Sequence, residues 1–100
     1  MRRRVVWADR ARDDFLAIVR HIAADDPDAA ERVQGAIQSA GNALAEFATG
    51  HPGRVAGTYE KSVSRLPYII AYALGADGRD LVILRVIHTS RNWVADQWPE

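Results

Sequence analysis

The sequence predicts an α+β domain in which an antiparallel helical hairpin packs on one face of a twisted antiparallel β-sheet. Two stretches between residues 9 and 47 have the apolar spacing of helices. One short strand-like stretch precedes them, and three more follow after a loop. The predicted order is therefore β-α-α-β-β-β, within a single domain that spans residues 1–100.

The first strand and the first helix follow from the N-terminal 24 residues. The stretch "RRRVVW" is short and contains β-branched residues, which predicts a strand from Arg3 to Trp7. Asp9 has a side chain suited to an N-cap, so we expect the first helix to begin there and to run to about Ala24. The apolar residues of this helix fall on one face: Phe15, Ile18, Val19 and Ile22.

The second helix is predicted to begin at Pro27, which suits the first position of a helix. Asp25 or Asp26 is its expected N-cap. Its apolar seam consists of Val33, Ile37, Ala40, Leu44 and Phe47. The link between the two helices is short, which makes them antiparallel. Gly35 and Gly41 interrupt the second helix, and each costs about 1 kcal/mol relative to alanine unless close packing requires it.

The C-terminal half predicts a three-stranded antiparallel meander. Residues 48–57 form a loop, and the strands are "TYEKSVSR", "YIIAYAL" and "LVILRVI". The dipeptide Asp77-Gly78 is a strong signal for the turn between the last two strands. The segment "RNWVADQW" could add a short C-terminal helix.

Composition excludes several classes of function. The formal net charge is zero, and 12 of the 13 basic residues are arginine. The chain contains no cysteine, which excludes disulfides and thiolate catalysis. Its apolar runs are too short for a membrane span or a signal peptide, so a cytoplasmic location is expected. Residues 9–46 hold eight acids and four arginines, which predicts one acidic face and one mildly basic face.

Alternation along the last strand predicts where its arginine points. Val82, Leu84 and Val86 share one face, which we expect to pack on the helices. Arg85 would then lie on the open face of the sheet, together with Lys61, Arg65 and the tyrosine hydroxyl groups. There it could meet a carboxylate of a protein partner in a charge-assisted pair. The alternative is a structural ion pair of Arg85 with Glu60 or with the chain terminus.

His88 and Arg91 follow the same strand and are candidates for proton transfer and phosphate binding. A histidine titrates near neutral pH and could serve as a general acid or base. The alternative is a hydrogen-bonded structural histidine. No spacing of histidines and carboxylates resembles a metal site, so neither a metal nor another cofactor is expected.

Three segments in this order, "GHPGRVAGTYE", "LPYIIAY" and "ILRVIHTSRNW", together with the helical hairpin, resemble the RelE/ParE superfamily of toxins from bacterial type II toxin–antitoxin systems. The resemblance covers nearly the whole chain. It implies the α+β fold predicted above. It also implies a cognate antitoxin, similar to ParD or RelB, whose C-terminal segment wraps the toxin in a higher-order complex.

The two branches of the superfamily differ in activity. RelE-like toxins are ribosome-dependent mRNA endoribonucleases that need no metal, whereas ParE-like toxins inhibit DNA gyrase, serve plasmid stabilization and are not known as nucleases. The ParE branch is the better match, because "PYIIAY" and "ILRVIH" look like ParE. A net charge of zero also offers little of the electrostatic attraction on which RNA binding depends. We therefore predict a gyrase inhibitor without catalytic activity.

The predicted contact residues for the antitoxin or the target are Lys61, Arg65, Arg85, His88, Arg91 and Trp93. If the chain is instead a ribonuclease, the predicted catalytic residues are His88, Arg85, Arg65 and Arg91. In that case Glu60 could also act as a base, and Arg54 could help to hold the phosphate.

Overall fold

The computed structural model describes residues 2–89. Its elements are β1 (Arg4–Trp7), α1 (Asp9–Ala23), α2 (Pro27–Ala43), β2 (His51–Pro52), β3 (Tyr59–Ser62), β4 (Tyr68–Leu74) and β5 (Asp80–His88). The predicted α+β class and the order of the predicted elements are confirmed. The strand β2 is additional, because it lies in the predicted loop. The proposed C-terminal helix in "RNWVADQW" lies outside the described residues.

The five strands form one sheet in the order β1-β5-β4-β3-β2. Neighbours from β2 to β5 are antiparallel, but β1 is parallel to β5, with Arg4 opposite Asp80. The prediction of a wholly antiparallel sheet was therefore wrong at this edge. No tight turn joins β1 to β5, because the helical hairpin and three strands separate them. Their relative direction is therefore not fixed by a hairpin.

The helix α1 begins directly where β1 ends. Its N-cap is Ala8, which makes no side-chain cap, and Asp9 belongs to the first turn. The prediction that Asp9 is the N-cap was therefore wrong. The backbone N–H of Ala8 still donates to the Ile83 carbonyl at 2.9 Å, so Ala8 ends the strand ladder and opens the helix at once. Asp9 nevertheless lies where a negative charge favours the helix dipole.

The helix α2 has the predicted beginning and a shorter end. The Asp26 carboxylate accepts the backbone N–H of Ala29 at 3.0 Å, and Pro27 is the first helical residue. The helix ends at Ala43, four residues before Phe47. The side chain of Phe47 is 69% exposed, so its assignment to the apolar seam was wrong.

One face of the sheet packs against the hairpin and forms the main core. The buried members of this core are Ala11, Ile37 and Leu44 from the helical region, Val63, and Tyr68, Ile70, Tyr72, Leu81, Ile83 and Val86 from the sheet. Gly41 lies where α2 crosses Trp7. A Cβ atom at this position would stand 2.7 Å from Trp7 Cζ2, so the absence of a side chain permits the close approach.

A β-bulge in β5 reverses the alternation of its side chains. Arg85 pairs with Ala71 and Ile83 pairs with Tyr72, so Leu84 is the extra residue. Leu81 and Ile83 therefore pack in the main core before the bulge, and Val86 does so after it. The prediction was right for Val86. It was wrong for Val82 and Leu84. The prediction assumed strict alternation of side chains along the strand, and the extra residue at the bulge shifts that alternation by one position.

The opposite face of the sheet, which we call the second face, is partly covered by residues 53–58. Val55 from this loop packs on Ala71 and Ile87, which are both buried. The loop is closed by a hydrogen bond from the Gly53 N–H to the Thr58 carbonyl at 2.9 Å. Among residues 2–89, no helix is long and apolar enough to cross a membrane.

Candidate functional site

The guanidinium of Arg85 is held by α1. Its Nε and Nη2 atoms donate to the two carboxylate oxygens of Asp14 at 2.7 and 3.1 Å. The side chains are only 16% and 17% exposed, so the two charges neutralise each other with little screening by water. Arg85 is opposite Ala71, which lies on the second face as predicted, but its guanidinium is bound by Asp14 of α1 and not by a protein partner. The alternative of a structural ion pair was right in kind, but the partner is Asp14 and not Glu60, and the C-terminal residues lie outside the described part of the chain.

The same carboxylate closes the edge of β5. The strand β1 ends at Trp7, so within residues 2–89 the part of β5 beyond Ile83 has no strand on that side. Asp14 accepts the backbone N–H of Val86 at 3.0 Å, which supplies the acceptor that a longer β1 would provide. The sequence alone did not indicate this role. The only signal was an acidic residue on the sheet-facing half of α1.

Glu60 is also committed to a structural partner. It is 5% exposed, and one carboxylate oxygen accepts the backbone N–H of Arg54 at 2.9 Å. The Arg54 Nε lies 3.7 Å from the same oxygen. Glu60 therefore anchors the loop of residues 53–58 to the second face.

Three of the predicted contact residues lie at one end of the sheet, where β3 ends, β4 begins and β5 ends. Lys61 is on β3, opposite Ile70. Arg65 is exposed in the turn between β3 and β4. His88 ends β5 opposite Tyr68, and the two rings meet edge to face with centroids 5.3 Å apart. We call Lys61, Arg65 and His88 the basic end of the sheet.

Within residues 2–89, the side chains of Lys61 and Arg65 make no hydrogen bond or ion pair with another residue. Arg91 and Trp93, the other predicted contact residues, lie outside the described residues. Residues 61–76 contain no acid, so this stretch has no carboxylate that could neutralise the two cations.

The tyrosines do not gather on the open face, as the alternation of β4 had suggested. Tyr68 and Tyr72 are buried in the main core, and Tyr59 stacks on Tyr72 with ring centroids 5.5 Å apart. The Tyr72 hydroxyl accepts the backbone N–H of Gly50 at 2.9 Å. Burial raises the pKa of Tyr72, and the hydrogen bond from Gly50 opposes part of that shift. Tyr72 is therefore a structural residue.

A surface pocket of about 420 Å³ lies at the other end of the sheet. Its lining consists of Arg3, Glu46, Phe47, Ala48, Thr49, Tyr59, Tyr72 and Leu74. Sequence reasoning missed this pocket because it placed Phe47 in the core. Among the described residues, no three histidine or acidic side chains gather where they could hold a metal ion.

Comparison with models of protein families identifies the family of this chain. Residues 5–93 match the model of the ParE toxin of the type II toxin–antitoxin system parDE. The chain belongs to the ParE toxin family. A relative from Sinorhizobium fredii (strain NBRC 101917 / NGR234), named "Putative toxin Y4kP", is 43% identical over 93 residues, which are 92% of this chain and 94% of the relative. The predicted membership of the RelE/ParE superfamily is thereby confirmed.

Solved structures support the fold of this ParE-family chain. A chain of the chromosomal ParDE toxin–antitoxin system from P. aeruginosa is similar with a TM-score of 0.80 at 23% identity, and the match covers 88% of this chain and 97% of that one. A chain of the RelBE2 toxin–antitoxin complex from Mycobacterium tuberculosis gives a TM-score of 0.64 at 23% identity, over 91% and 95% of the two chains. At this identity the matches establish the fold of the ParE-family domain alone.

Proposed function

We propose that this ParE-family toxin inhibits DNA gyrase without catalysing a reaction. A ParD-like antitoxin neutralises the toxin: the C-terminal segment of the antitoxin wraps around the toxin in a higher-order complex. The proposed function includes a cytoplasmic location and a role in plasmid stabilization. It rests on the family match over residues 5–93. Its support from geometry is the ion pair of Arg85 with Asp14.

The ion pair weighs against a ribonuclease for an energetic reason. A catalytic arginine must turn its guanidinium toward the phosphate whose charge it stabilises. Arg85 would first have to leave Asp14, and the largely buried carboxylate would then lose the cation that neutralises it. A surface that binds a protein does not require this rearrangement.

The second candidate function is a ribosome-dependent mRNA endoribonuclease, and one observation favours it. Lys61, Arg65 and His88 lie at the same end of the sheet, which puts two cations and one titratable group in one region. A net charge of zero weighs against a ribonuclease, because a neutral protein offers little electrostatic attraction to the phosphates of RNA.

Regulated expression of the chain in a bacterium separates the two functions. DNA and protein synthesis would be followed over the first minutes, with and without co-expression of the antitoxin encoded beside the toxin. Early loss of DNA synthesis, together with inhibition of purified gyrase in a supercoiling assay, is the expected result. Early arrest of translation with cleaved mRNA would overturn the proposal.

The His88→Ala variant gives this experiment an internal control. If His88 transfers a proton, the substitution abolishes mRNA cleavage. A gyrase inhibitor keeps its effect on DNA synthesis, provided that thermal unfolding of the variant matches that of the wild type. Cleavage of mRNA by the wild type that is lost in a variant with unchanged unfolding would count against a non-catalytic role for His88.

A further inference from the structure

The turn between β3 and β4 holds an arginine where the backbone favours glycine. Arg65 has a φ of 65°, and among residues 2–89 the other positive φ values belong to glycines, Gly57 and Gly78. The turn is fixed by two hydrogen bonds, Val63 N–H to the Tyr68 carbonyl at 2.9 Å and Leu66 N–H to the Val63 carbonyl at 3.2 Å. The left-handed conformation is unfavourable for an L-residue with a Cβ atom, whereas glycine adopts it freely.

The side chain of Arg65 makes no contact with the described part of the chain that would offset this unfavourable backbone conformation. It is exposed, and it forms no hydrogen bond or ion pair with residues 2–89. Other arginines of the sheet are engaged: Arg4 pairs with Asp80 at 3.0 Å, and Arg85 pairs with Asp14. Glycine at this position would relieve the strain. A strained residue whose side chain does not stabilise the fold indicates that the side chain has a function.

We propose that Arg65, supported by Lys61, binds a carboxylate of the antitoxin, so that the antitoxin covers the basic end of the sheet. The inference rests on the proposed function, because it assumes an antitoxin. Arg65 supplies a planar fork of donors that suits a carboxylate, and the stretch 61–76 contains no acid that would compete for it. The turn holds the backbone of Arg65 fixed, which lowers the entropy lost on binding.

The charge at this end suits a protein carboxylate better than a nucleic acid. Lys61 and Arg65 are two cations on a molecule with a net charge of zero. A nucleic-acid-binding protein gains much of its affinity from counterions released at each phosphate that it neutralises, so two cations supply little of this energy. One or two carboxylates on an antitoxin segment match the two cations, and Arg85, already paired with Asp14, adds no third unpaired charge.

The test compares two glycine substitutions in two turns of the same sheet. Arg65→Gly removes the strained residue between β3 and β4, and Arg79→Gly removes an exposed arginine from the turn between β4 and β5, at the opposite end. Both variants lose one positive charge. Affinity for the antitoxin encoded beside the toxin would be measured by calorimetry, and stability by thermal unfolding.

The expected result for Arg65→Gly is opposite in sign for the two measurements. The Tm rises by about 2–5 °C because the backbone strain is relieved. The affinity falls by about tenfold or more because a charge-assisted hydrogen bond is lost. Arg79→Gly leaves the affinity within about twofold of wild type, since a rim charge far from the contact contributes little. Arg65→Asn, which tolerates the left-handed conformation, reproduces the loss of affinity.

Three outcomes would overturn the inference while leaving the proposed function standing. The first is an Arg65→Gly variant that binds the antitoxin as tightly as the wild type does. The second is an equal loss of affinity in Arg79→Gly, which would indicate a general effect of charge. The third is salt-sensitive binding of a single-stranded RNA oligonucleotide that depends on Arg65, which would assign the basic end to nucleic acid. If the wild-type chain does not bind the antitoxin at all, the proposed function fails and the inference fails with it.

Discussion

Asp14 serves two structural needs with one carboxylate. It neutralises the guanidinium of Arg85, and it accepts the N–H of Val86 at the edge of β5. Both groups are partly buried, so neither could turn to bulk water without a rearrangement. The residue therefore joins the N-terminal helix to the last described strand across 71 positions of sequence.

We expect Asp14→Ala to lower the free energy of unfolding by about 2–4 kcal/mol, because it leaves a largely buried arginine and a backbone N–H without their acceptor. Urea denaturation would measure the change. Glu46→Ala is the control, since Glu46 pairs with Arg2 at 3.2 Å in an exposed position and its loss should cost about 0–1 kcal/mol. Equal effects of the two substitutions would contradict the structural role of Asp14.

At the scale of the elements, the two glycines of α2 differ in what surrounds them. A Cβ atom on Gly35 would meet nothing within 4 Å. A Cβ atom on Gly41 would stand 2.7 Å from Trp7 Cζ2 and 3.0 Å from Ile83 Cδ1. The sequence shows two similar interruptions of the helix, and only the packing tells them apart.

Substitution of each glycine by alanine should therefore have opposite effects. Gly35→Ala is expected to stabilise the fold by about 1 kcal/mol, because alanine has the higher helix propensity. Gly41→Ala is expected to destabilise it by about 1–3 kcal/mol, because the new methyl group pushes the indole and Ile83 apart. Thermal unfolding of the pair would check this, and stabilisation by both substitutions would show that Trp7 can move aside at little cost.

The sequence predicted the elements well because each one carries its own local signal. Pro27 and Asp26 marked the start of α2, and Ile37 and Leu44 lie in the core as their spacing required. The bulge at Leu84 carries no such signal, and it reversed the expected faces of β5. Phe47 extended the apolar periodicity beyond the point where the helix ends.

The candidate site was harder to predict than the fold. The basic end was indicated by residue type, and the structure brings Lys61, Arg65 and His88 to one end of the sheet. A structural ion pair of Arg85 was one of the two predicted alternatives, but its partner Asp14 was not predicted, since that depends on where α1 lies relative to β5. The left-handed backbone of Arg65 was also invisible, because an arginine gives no sequence signal for a positive φ.

At the scale of the whole molecule, the pairing of β1 with β5 joins the two strands of the sheet that are farthest apart in sequence. The pairing of Arg4 with Asp80 joins residues 76 positions apart, whereas β4 and β5 are joined by a turn of five residues. Closing a long loop costs more entropy than closing a short one. We therefore expect the pair β4–β5 to form before β1 docks.

Folding kinetics would test this order. Val5→Ala, in β1, should speed unfolding and leave the folding rate nearly unchanged, with a φ-value of about 0–0.3. Ile70→Val, in β4, should slow folding instead, with a φ-value of about 0.5 or more. Stopped-flow measurements across the urea range would give both values. A high φ-value at Val5 would place the docking of β1 in the folding transition state.

The parallel pairing of β1 with β5 also has a consequence during synthesis of the chain. The ribosome makes β1 first, yet β5, the strand that pairs with it in the described part of the chain, is made after both helices and the three other strands. Until β5 has been made, Asp14 has no Arg85 to bind, and the β4 edge that receives β5 is bare. The nascent chain therefore lacks the finished sheet, and a partner that recognises that sheet can bind only after β5 has been translated.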